Sequence, residues 1–256
     1  MADSGARRFY DQLAEDYDLI FPDWDGSMAR QAAALDGLIT AAGGGRAVLD
    51  CACGIGTQAI GLAGLGYRVV GSDLSPVAAA RAVREATARG RRLPALAADM
   101  ARLPFRDEAF DVVVCADNSI AHLLTEPALA TALASMRRVL RPGGTLVLTV
   151  RAERRDRPRV SPVQLHETAA GPVVTFQLWD WHDDEHYDLR HIQLHPRGDT
   201  YEPRVRRVTS WAIGHQHLAE LVVAAGFTEA AWHSPERSGF FQPVLTGRRP
   251  AAPTWC

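Results

Sequence analysis

The segment AVLDCACGIGTQAIGLAGLGYRVVGSDLS, residues 47–75, constrains the fold of this 256-residue chain more than any other segment. An apolar, strand-like run leads into Gly54 and Gly56, a helical stretch follows, and a second apolar run ends at Asp73. Glycines at such a turn let the backbone bend tightly and a ligand approach closely. A carboxylate about twenty residues further on can accept hydrogen bonds from two ribose hydroxyl groups. The segment therefore predicts a binding site for a nucleotide-like ligand.

The same alternation of strands and helices continues along the chain and predicts the fold class. Strands are expected at 47–51, 68–72, 95–98, 111–115 and 145–150, and helices at 57–64, 76–89 and 126–140. Strands that alternate with helices form a parallel sheet with crossover helices. We therefore expect an α/β protein with a Rossmann-like sheet and helices on both faces.

The chain divides into four predicted segments. Residues 1–45 form an N-terminal helical lid, broken near 21–27 and with Ser27 as a candidate cap of its second helix. Residues 46–151 form the cofactor-binding core. Residues 152–211 form an antiparallel insertion, because 173–195 alternates in two arms around an Asp-Asp turn. Residues 212–256 supply a helix and strands, near 227–233 and 240–247, that complete the core sheet.

Composition excludes several classes of function. The formal net charge is -2, whereas a general nucleic-acid binder usually carries a basic surplus. The four cysteines form no CxxC pair, which is typical of a reduced, cytoplasmic protein. No apolar run approaches the ~18 residues of a membrane span, and the first residues do not read as a secretory signal. The expected partner is a small molecule, and the sequence does not indicate the oligomeric state.

Four motifs in order resemble the class I S-adenosylmethionine-dependent methyltransferases. The first is an acidic residue, Asp50, followed by small residues and the GxG turn. The second is the acidic residue Asp73. The third and fourth are the runs AADMARLPFRDEAFDVVVCADNSIAHL and VLRPGGTLVLTVR. The likeness covers roughly residues 9–151 and 212–247, and it implies S-adenosyl-L-methionine as the cofactor. It assigns cofactor binding to Tyr10, Tyr17, Arg30, Ala52, Gly54, Gly56, Asp73, Leu74, Asp99, Met100, Ala116 and Asp117.

A narrower likeness concerns the substrate. The runs CADNSIAHL and LVLTVR are similar to segments of the glycine and sarcosine N-methyltransferases. That resemblance implies that Arg151 pairs with a substrate carboxylate and that Asn118 assists. It also implies that Arg30 binds the cofactor carboxylate. Trp179 and Trp181 of the insertion are candidate substrate-binding residues, or members of a cross-strand aromatic ladder.

His122 is the candidate catalytic residue, because it follows the fourth strand and faces the expected site. Its role is that of a base, of a contact to the cofactor or substrate, or of a helix-start residue, and we favour the contact. The insertion contains four further histidines, at 182, 186, 191 and 195. Their spacings are compatible with a metal site. We expect instead that they belong to a partly exposed polar strand face and bind no metal.

The predicted activity is methyl transfer to the nitrogen of a small amine or amino acid, since an amine needs no strong base. The alternatives are O- or C-methylation of a natural product and a non-catalytic binding module of the same fold.

Overall fold

A computed structural model describes residues 4–151 and 159–251, and the predicted start of the insertion at 152–158 lies outside these ranges. The described strands are β1 (Ala47–Asp50), β2 (Arg68–Asp73), β3 (Ala95–Ala97), β4 (Phe110–Cys115), β5 (Leu140–Thr149), β6 (Gln164–His166), β7 (Val173–Trp181), β8 (His186–Arg197), β9 (Thr200–Trp211), β10 (Thr228–His233) and β11 (Val244–Arg248). The α-helices are α1 (Ser4–Leu13), α2 (Trp24–Ala41), α3 (Thr57–Gly64), α4 (Pro76–Ala88), α5 (Glu126–Val139), α6 (His215–Ala224) and α7 (Pro235–Ser238). Short 3-10 helices lie at Ala14–Ile20, Met100–Arg102 and Ser119–Leu123.

A seven-stranded sheet of order β10-β11-β5-β4-β1-β2-β3 forms the centre of the molecule. Strands β1 to β5 pair in parallel, and β11 runs antiparallel to both of its neighbours. The strand order reverses at β1, which pairs with β2 on one side and β4 on the other. This arrangement confirms the predicted fold class and places a ligand crevice beyond the carboxyl ends of β1 and β4.

Burial on both faces explains why the central strands read as continuous apolar runs. Leu49 and Val113 face one apolar cluster, which helices α5 and α6 cover. Val48, Val112 and neighbouring residues face a second cluster, which helices α2, α3 and α4 cover. The sheet is therefore the middle layer of three.

The glycine turn after β1 depends on its glycines. Gly54 and Gly56 have φ angles of 51° and 97°, in the region that L side chains rarely adopt. A Cβ atom on Gly56 would lie 2.8 Å from the Ile60 side chain. The turn therefore brings the N-terminus of α3 to the carboxyl edge of the sheet.

The cap of α2 differs from the prediction. The helix begins at Trp24, and the Asp23 side chain accepts a hydrogen bond of 2.9 Å from the Gly26 backbone N–H. Ser27, the predicted cap, lies inside the helix. The prediction was wrong because a better placed carboxylate precedes Ser27 by one turn.

Strands β6 to β9 form a separate antiparallel sheet, and the turn between β7 and β8 falls at 182–185, as the alternation predicted. Helix α1 packs Phe9 and Leu13 against the inner face of this sheet, on Tyr187, Leu189 and Val208. The N-terminal segment thus lies between the antiparallel sheet and the core. No helix of the described residues is long and apolar enough to cross a membrane.

Two buried arginines hold the N-terminal segment from opposite sides. Arg81 of α4 donates to the Ala14 carbonyl at 2.6 Å and to the Asp18 carboxylate at 2.8 Å. Arg206 of β9 donates to the Gln12 carbonyl at 2.9 Å and to the Asp16 carboxylate at 2.7 Å. Paired and hydrogen-bonded in this way, the two guanidinium groups fix residues 12–18 over the crevice.

We predict that Arg81→Met lowers the free energy of unfolding by about 2–3 kcal/mol, because it leaves a buried carbonyl and a carboxylate without their donor. Arg84→Met is the matched control. Arg84 lies on the same helix and pairs with Glu15 of the same segment, but it is 57% exposed, so its loss costs at most about 0.5 kcal/mol. Urea denaturation of both variants checks this, and equal losses would contradict the account.

Candidate functional site

The carboxyl edge of the central sheet carries a pocket, here called the glycine-turn pocket, where β1, β2 and β4 end. Most of the residues predicted to bind the cofactor line it: Tyr10, Tyr17, Ala52, Gly54, Asp73, Leu74, Asp99, Met100 and Asp117. His122 lines it as well. The topology therefore brings together residues that are far apart in sequence. Two others lie just outside the lining, since Gly56 shapes the turn and Ala116 is buried at the end of β4.

Arg30 does not reach this pocket. Its side chain is 66% exposed and faces Asp23 at 3.8 Å and the Ser27 hydroxyl at 3.2 Å. Arg30 lies on the exposed side of α2 and is not among the residues that line the pocket. Its contact with a cofactor carboxylate stays a prediction.

Thr57 and Gln58, which sequence reasoning missed, line the pocket at the N-terminus of α3. Gln58 is held in place because its Nε2 donates to Gln31 Oε1 at 2.7 Å. Free backbone N–H groups at a helix N-terminus favour an anionic ligand group. Their position in the sequence, as the first helical residues after the glycine turn, could have identified them as pocket residues.

Asp73 sits at the end of β2 with its carboxylate oriented by backbone donors. Its two oxygens accept hydrogen bonds from the N–H groups of Gly54 and Ser75, both at 2.8 Å. Burial raises the pKa of Asp73 to about 6, although both N–H groups oppose the shift. Above that pH the group is an ionised, oriented acceptor, which suits a ribose diol.

Asp50 is the most deeply buried carboxyl of the site. The side chain is inaccessible to solvent, and neither oxygen makes a hydrogen bond of good geometry among the described residues. Burial, with a smaller contribution from Asp73, raises the pKa of Asp50 to about 7, although the nearby Ala52 backbone N–H opposes the shift. A buried acid held near neutral pH is typical of functional sites.

Tyr10 and His122 form a hydrogen-bonded pair in the pocket. The Tyr10 hydroxyl lies 2.8 Å from His122 Nε2, and His122 Nδ1 lies 3.1 Å from the Thr209 carbonyl oxygen. Because a carbonyl oxygen only accepts, this geometry assigns the proton to Nδ1 and makes Nε2 the acceptor from Tyr10. Burial raises the pKa of Tyr10 well above its usual range, so the hydroxyl stays protonated.

The tyrosines of the N-terminal segment fill most of this pocket. A ring carbon of Tyr17 lies 3.3 Å from the position that a Cβ atom on Gly54 would take, and the Tyr10 and Tyr17 rings meet edge to face at 6.0 Å. The remaining cavity is about 80 Å³. A drug-sized ligand needs several hundred Å³. Both rings must therefore shift when a nucleoside-sized ligand enters.

A larger cavity of about 830 Å³, here called the outer cavity, lies between the core and the antiparallel sheet. The four predicted substrate-binding residues line it: Asn118, Arg151, Trp179 and Trp181. Arg151 donates to the Tyr187 hydroxyl at 3.2 Å and to Gln177 Oε1 at 3.4 Å, and it lies 5.6 Å from the Trp179 ring centroid. Within the described chain these partners are all uncharged.

A third cavity, here called the connecting cavity, joins the two. Tyr10, Tyr17 and His122 from the glycine-turn pocket line it, and so do Asn118 and Arg151 from the outer cavity. Asn118 also accepts a hydrogen bond of 3.0 Å from the Arg151 backbone N–H, which couples the ends of β4 and β5. The two binding spaces therefore meet at one place.

The four histidines of the insertion do not converge. His182 contacts Asp188 at 2.8 Å and His186 contacts Asp183 at 3.2 Å. His191 is only 2% exposed, so the expectation of a partly exposed strand face was wrong for this residue. Among the described residues no three His, Cys, Asp or Glu side chains lie close enough together to hold a metal ion.

Comparison with known proteins agrees with this architecture. Residues 48–144 match the family model described as methyltransferase domain. The glycine/sarcosine N-methyltransferase of Parasynechococcus marenigrum is 42% identical over 107 residues, which are 41% of this chain and 38% of that protein. The demethylmenaquinone methyltransferase of Beutenbergia cavernae is 39% identical over 141 residues, 54% and 55% of the two chains. This chain thus spans at most about half the length of these curated relatives.

The sugar N-methyltransferase KedS8 from Streptoalloteichus sp. has a similar fold, with a TM-score of 0.77 and 24% identity, covering 91% of this chain and 92% of that one. Residues 48–144 are thus similar to a methyltransferase domain, and the matched residues include the glycine turn, Asp73 and the strands that carry the pocket.

We predict that Asp73→Ala weakens binding of S-adenosylmethionine at least about tenfold, because each hydrogen bond to a charged acceptor is worth ~1.5–3 kcal/mol. Wild-type affinity should also fall below pH 6, as the carboxylate gains a proton. Calorimetric titration measures both effects. Asp107→Ala, at an exposed carboxylate away from the pocket, is the control. Unchanged affinity in Asp73→Ala would overturn the ribose assignment.

We predict that Asp50→Asn removes a pH dependence of stability. The folded pKa of Asp50 is raised from 3.8 to about 7, so the folded state holds the proton more tightly. This group therefore lowers the free energy of unfolding as pH rises between these values, by up to about 1.4 kcal/mol per pH unit. Urea denaturation from pH 5 to 8 should give a flatter profile for the variant. Parallel profiles would show that Asp50 does not titrate in this way.

Proposed function

We propose that this chain transfers a methyl group from S-adenosyl-L-methionine to the nitrogen of a small molecule that carries an anionic group. The residues of the glycine-turn pocket suit the cofactor, since Asp73 is an oriented acceptor and Gly54 permits close approach. S-adenosylmethionine supplies a methyl group on a sulfonium centre, which is already activated for displacement. The protein then has to provide alignment and proximity.

The proposal depends on the hydrogen-bond partners of Arg151. Its guanidinium lines a cavity of about 830 Å³ and, within the described residues, has only uncharged hydrogen-bond partners. A charged group beneath the surface is costly unless an opposite charge pairs with it. A planar fork of donors fits a carboxylate in a bidentate manner. Asp117 lines the connecting cavity and interacts electrostatically with Arg151, but it makes no hydrogen bond to it. An anionic acceptor would supply a directly paired charge.

The connecting cavity is the proposed place of reaction. Arg151 and Asn118 would hold the acceptor from the outer side, while Tyr10 and His122 close the cavity from the cofactor side. An amine must lose its proton before it can attack. The positive charge of Arg151 in the cavity wall disfavours a second cation and so favours the neutral amine. His122 Nε2 can accept a hydrogen bond from the amine once Tyr10 moves.

The direct test is incubation of the chain with S-adenosylmethionine and a panel of amines, followed by mass spectrometry for the gain of one methyl group. Glycine, sarcosine and D-glucosaminate carry a carboxylate, whereas D-glucosamine does not. Methylation of the carboxylate-bearing amines supports the proposal. Methyl transfer to an oxygen or carbon would overturn the choice of nitrogen, and cofactor binding without any transfer would favour a binding module.

We predict that Arg151→Met raises KM for the carboxylate-bearing acceptors by about tenfold or more while cofactor affinity changes less than about twofold. Arg190→Met is the matched control, because Arg190 lies on the antiparallel sheet that Arg151 contacts, pairs with Asp180 and does not line the outer or connecting cavity. Steady-state kinetics and calorimetry separate the two effects. Loss of cofactor affinity in Arg151→Met would instead assign this residue to the cofactor site.

A further inference from the structure

The inner face of the antiparallel sheet changes from aromatic to polar side chains along its strands. Near the β7–β8 turn it is aromatic, with Trp179, Trp181 and Tyr187. Further along, the strand register places Gln177, His191 and Arg206 side by side on β7, β8 and β9. Arg151 contacts the first of these residues and Asp16 of the N-terminal segment contacts the last. His191 therefore lies at the centre of a polar row beneath the site.

His191 is a buried polar side chain without a hydrogen bond. Within the described chain neither ring nitrogen has a partner, although the residue is 2% exposed. Leaving a buried polar group unpaired costs about 1–3 kcal/mol. Native proteins leave few such groups, and each requires an explanation. Such groups are explained by strain, by a functional role, or by a bound molecule or ion that supplies the partner.

The position of His191 makes a ligand the natural partner. It lines both the outer cavity and the connecting cavity. Arg151, Asn118 and Gln177 line the same two cavities. An acceptor that extends from Arg151 into the connecting cavity therefore occupies a space that His191 also lines.

The surroundings determine the chemistry that His191 can recognise. Burial, followed by the positive charge of Arg206, lowers the pKa of His191 to about 4, so the imidazole is neutral near pH 7. A neutral imidazole offers one donor and one acceptor nitrogen. The neighbouring Arg206 guanidinium disfavours a cation at His191, although Asp16 opposes this effect. Arg151, which lines the same two cavities, is the stronger site for an anion. An uncharged hydroxyl, which both donates and accepts, fits best.

We infer that His191 is a specificity-determining residue that hydrogen-bonds a hydroxyl group of the acceptor, so that the preferred acceptor is a hydroxylated amine rather than a plain alkyl amine. This inference rests on the proposed function, because it concerns the acceptor that Arg151 holds. His191 acts on binding, and it takes no proton from the nucleophile at neutral pH.

The test compares two acceptors of equal chain length. D-glucosaminate and D-norleucine are both six-carbon 2-amino acids, and of the two D-glucosaminate alone carries hydroxyl groups along the chain. For His191→Phe we expect KM for D-glucosaminate to rise about five- to tenfold, with kcat nearly unchanged and KM for D-norleucine altered less than about twofold. The melting temperature should not fall, since an apolar ring replaces an unpaired polar one.

Three further variants complete the test. His191→Asn and His191→Gln each place an amide near one ring nitrogen, and the one that restores the preference for D-glucosaminate identifies the nitrogen that binds. His195→Phe is the matched control, because His195 lies four residues along the same strand with an unpartnered Nε2 but does not line the outer or connecting cavity. It should leave both KM values unchanged.

Calorimetric titration of both acceptors in the presence of S-adenosylhomocysteine measures the same selection without turnover. Equal effects of His191→Phe on the two acceptors, or no binding of D-glucosaminate to the wild-type chain, would overturn the role of His191. Binding of D-glucosaminate that depends on His191, without methyl transfer to any amine, would instead contradict the proposed function and leave the recognition by His191 intact.

Discussion

Three carboxyl groups lie where β1, β2 and β4 end, and the remainder of the site is arranged around them: Asp50 and Asp73 are buried and Asp117 is half-buried. Burial raises the pKa of each. Such a cluster is costly unless donors or cations offset it. The backbone N–H groups of Gly54 and Ser75 offset the charge of Asp73, and Arg151 lowers the pKa of Asp117 from the far side. The glycine turn therefore stabilises the acid that it presents to the ligand.

The N-terminal segment and the antiparallel sheet convert this edge into an enclosed compartment. The segment is held between Arg81 of the core and Arg206 of the antiparallel sheet. The core and the antiparallel sheet therefore together fix the positions of Tyr10 and Tyr17. The sheet in turn supplies the uncharged partners of Arg151. The crevice of the parallel sheet suits a nucleotide-like ligand, whereas the compartment above it determines which acceptor can reach that ligand.

The sequence predicted those features that depend on local periodicity and turn chemistry. Helix 57–64 lies where it was expected, and Asp73 ends the second strand, because glycines and an alternating pattern are signals that neighbours in sequence carry. The assignment of individual site residues to the cofactor and to the substrate remains a prediction. Their convergence on adjoining cavities is what makes it testable.

The remaining features depend on tertiary arrangement. Arg30 points outward because of the way α2 packs, and Asp23 rather than Ser27 caps that helix although both are suitable residues four positions apart. His191 is buried because the register places it between Gln177 and Arg206 on the inner face. A shift of one residue would have turned it to the outer face, so the sequence pattern alone could not find it.

A crystal structure of the chain with S-adenosylhomocysteine and D-glucosaminate would test the account most directly. The account predicts the ribose on Asp73, Tyr10 and Tyr17 displaced from the glycine turn, and the acceptor carboxylate on Arg151 with its amine in the connecting cavity. It would be contradicted by a cofactor bound away from Asp73, or by an acceptor whose amine lies outside the connecting cavity while Arg151 pairs with a carboxylate of the protein itself.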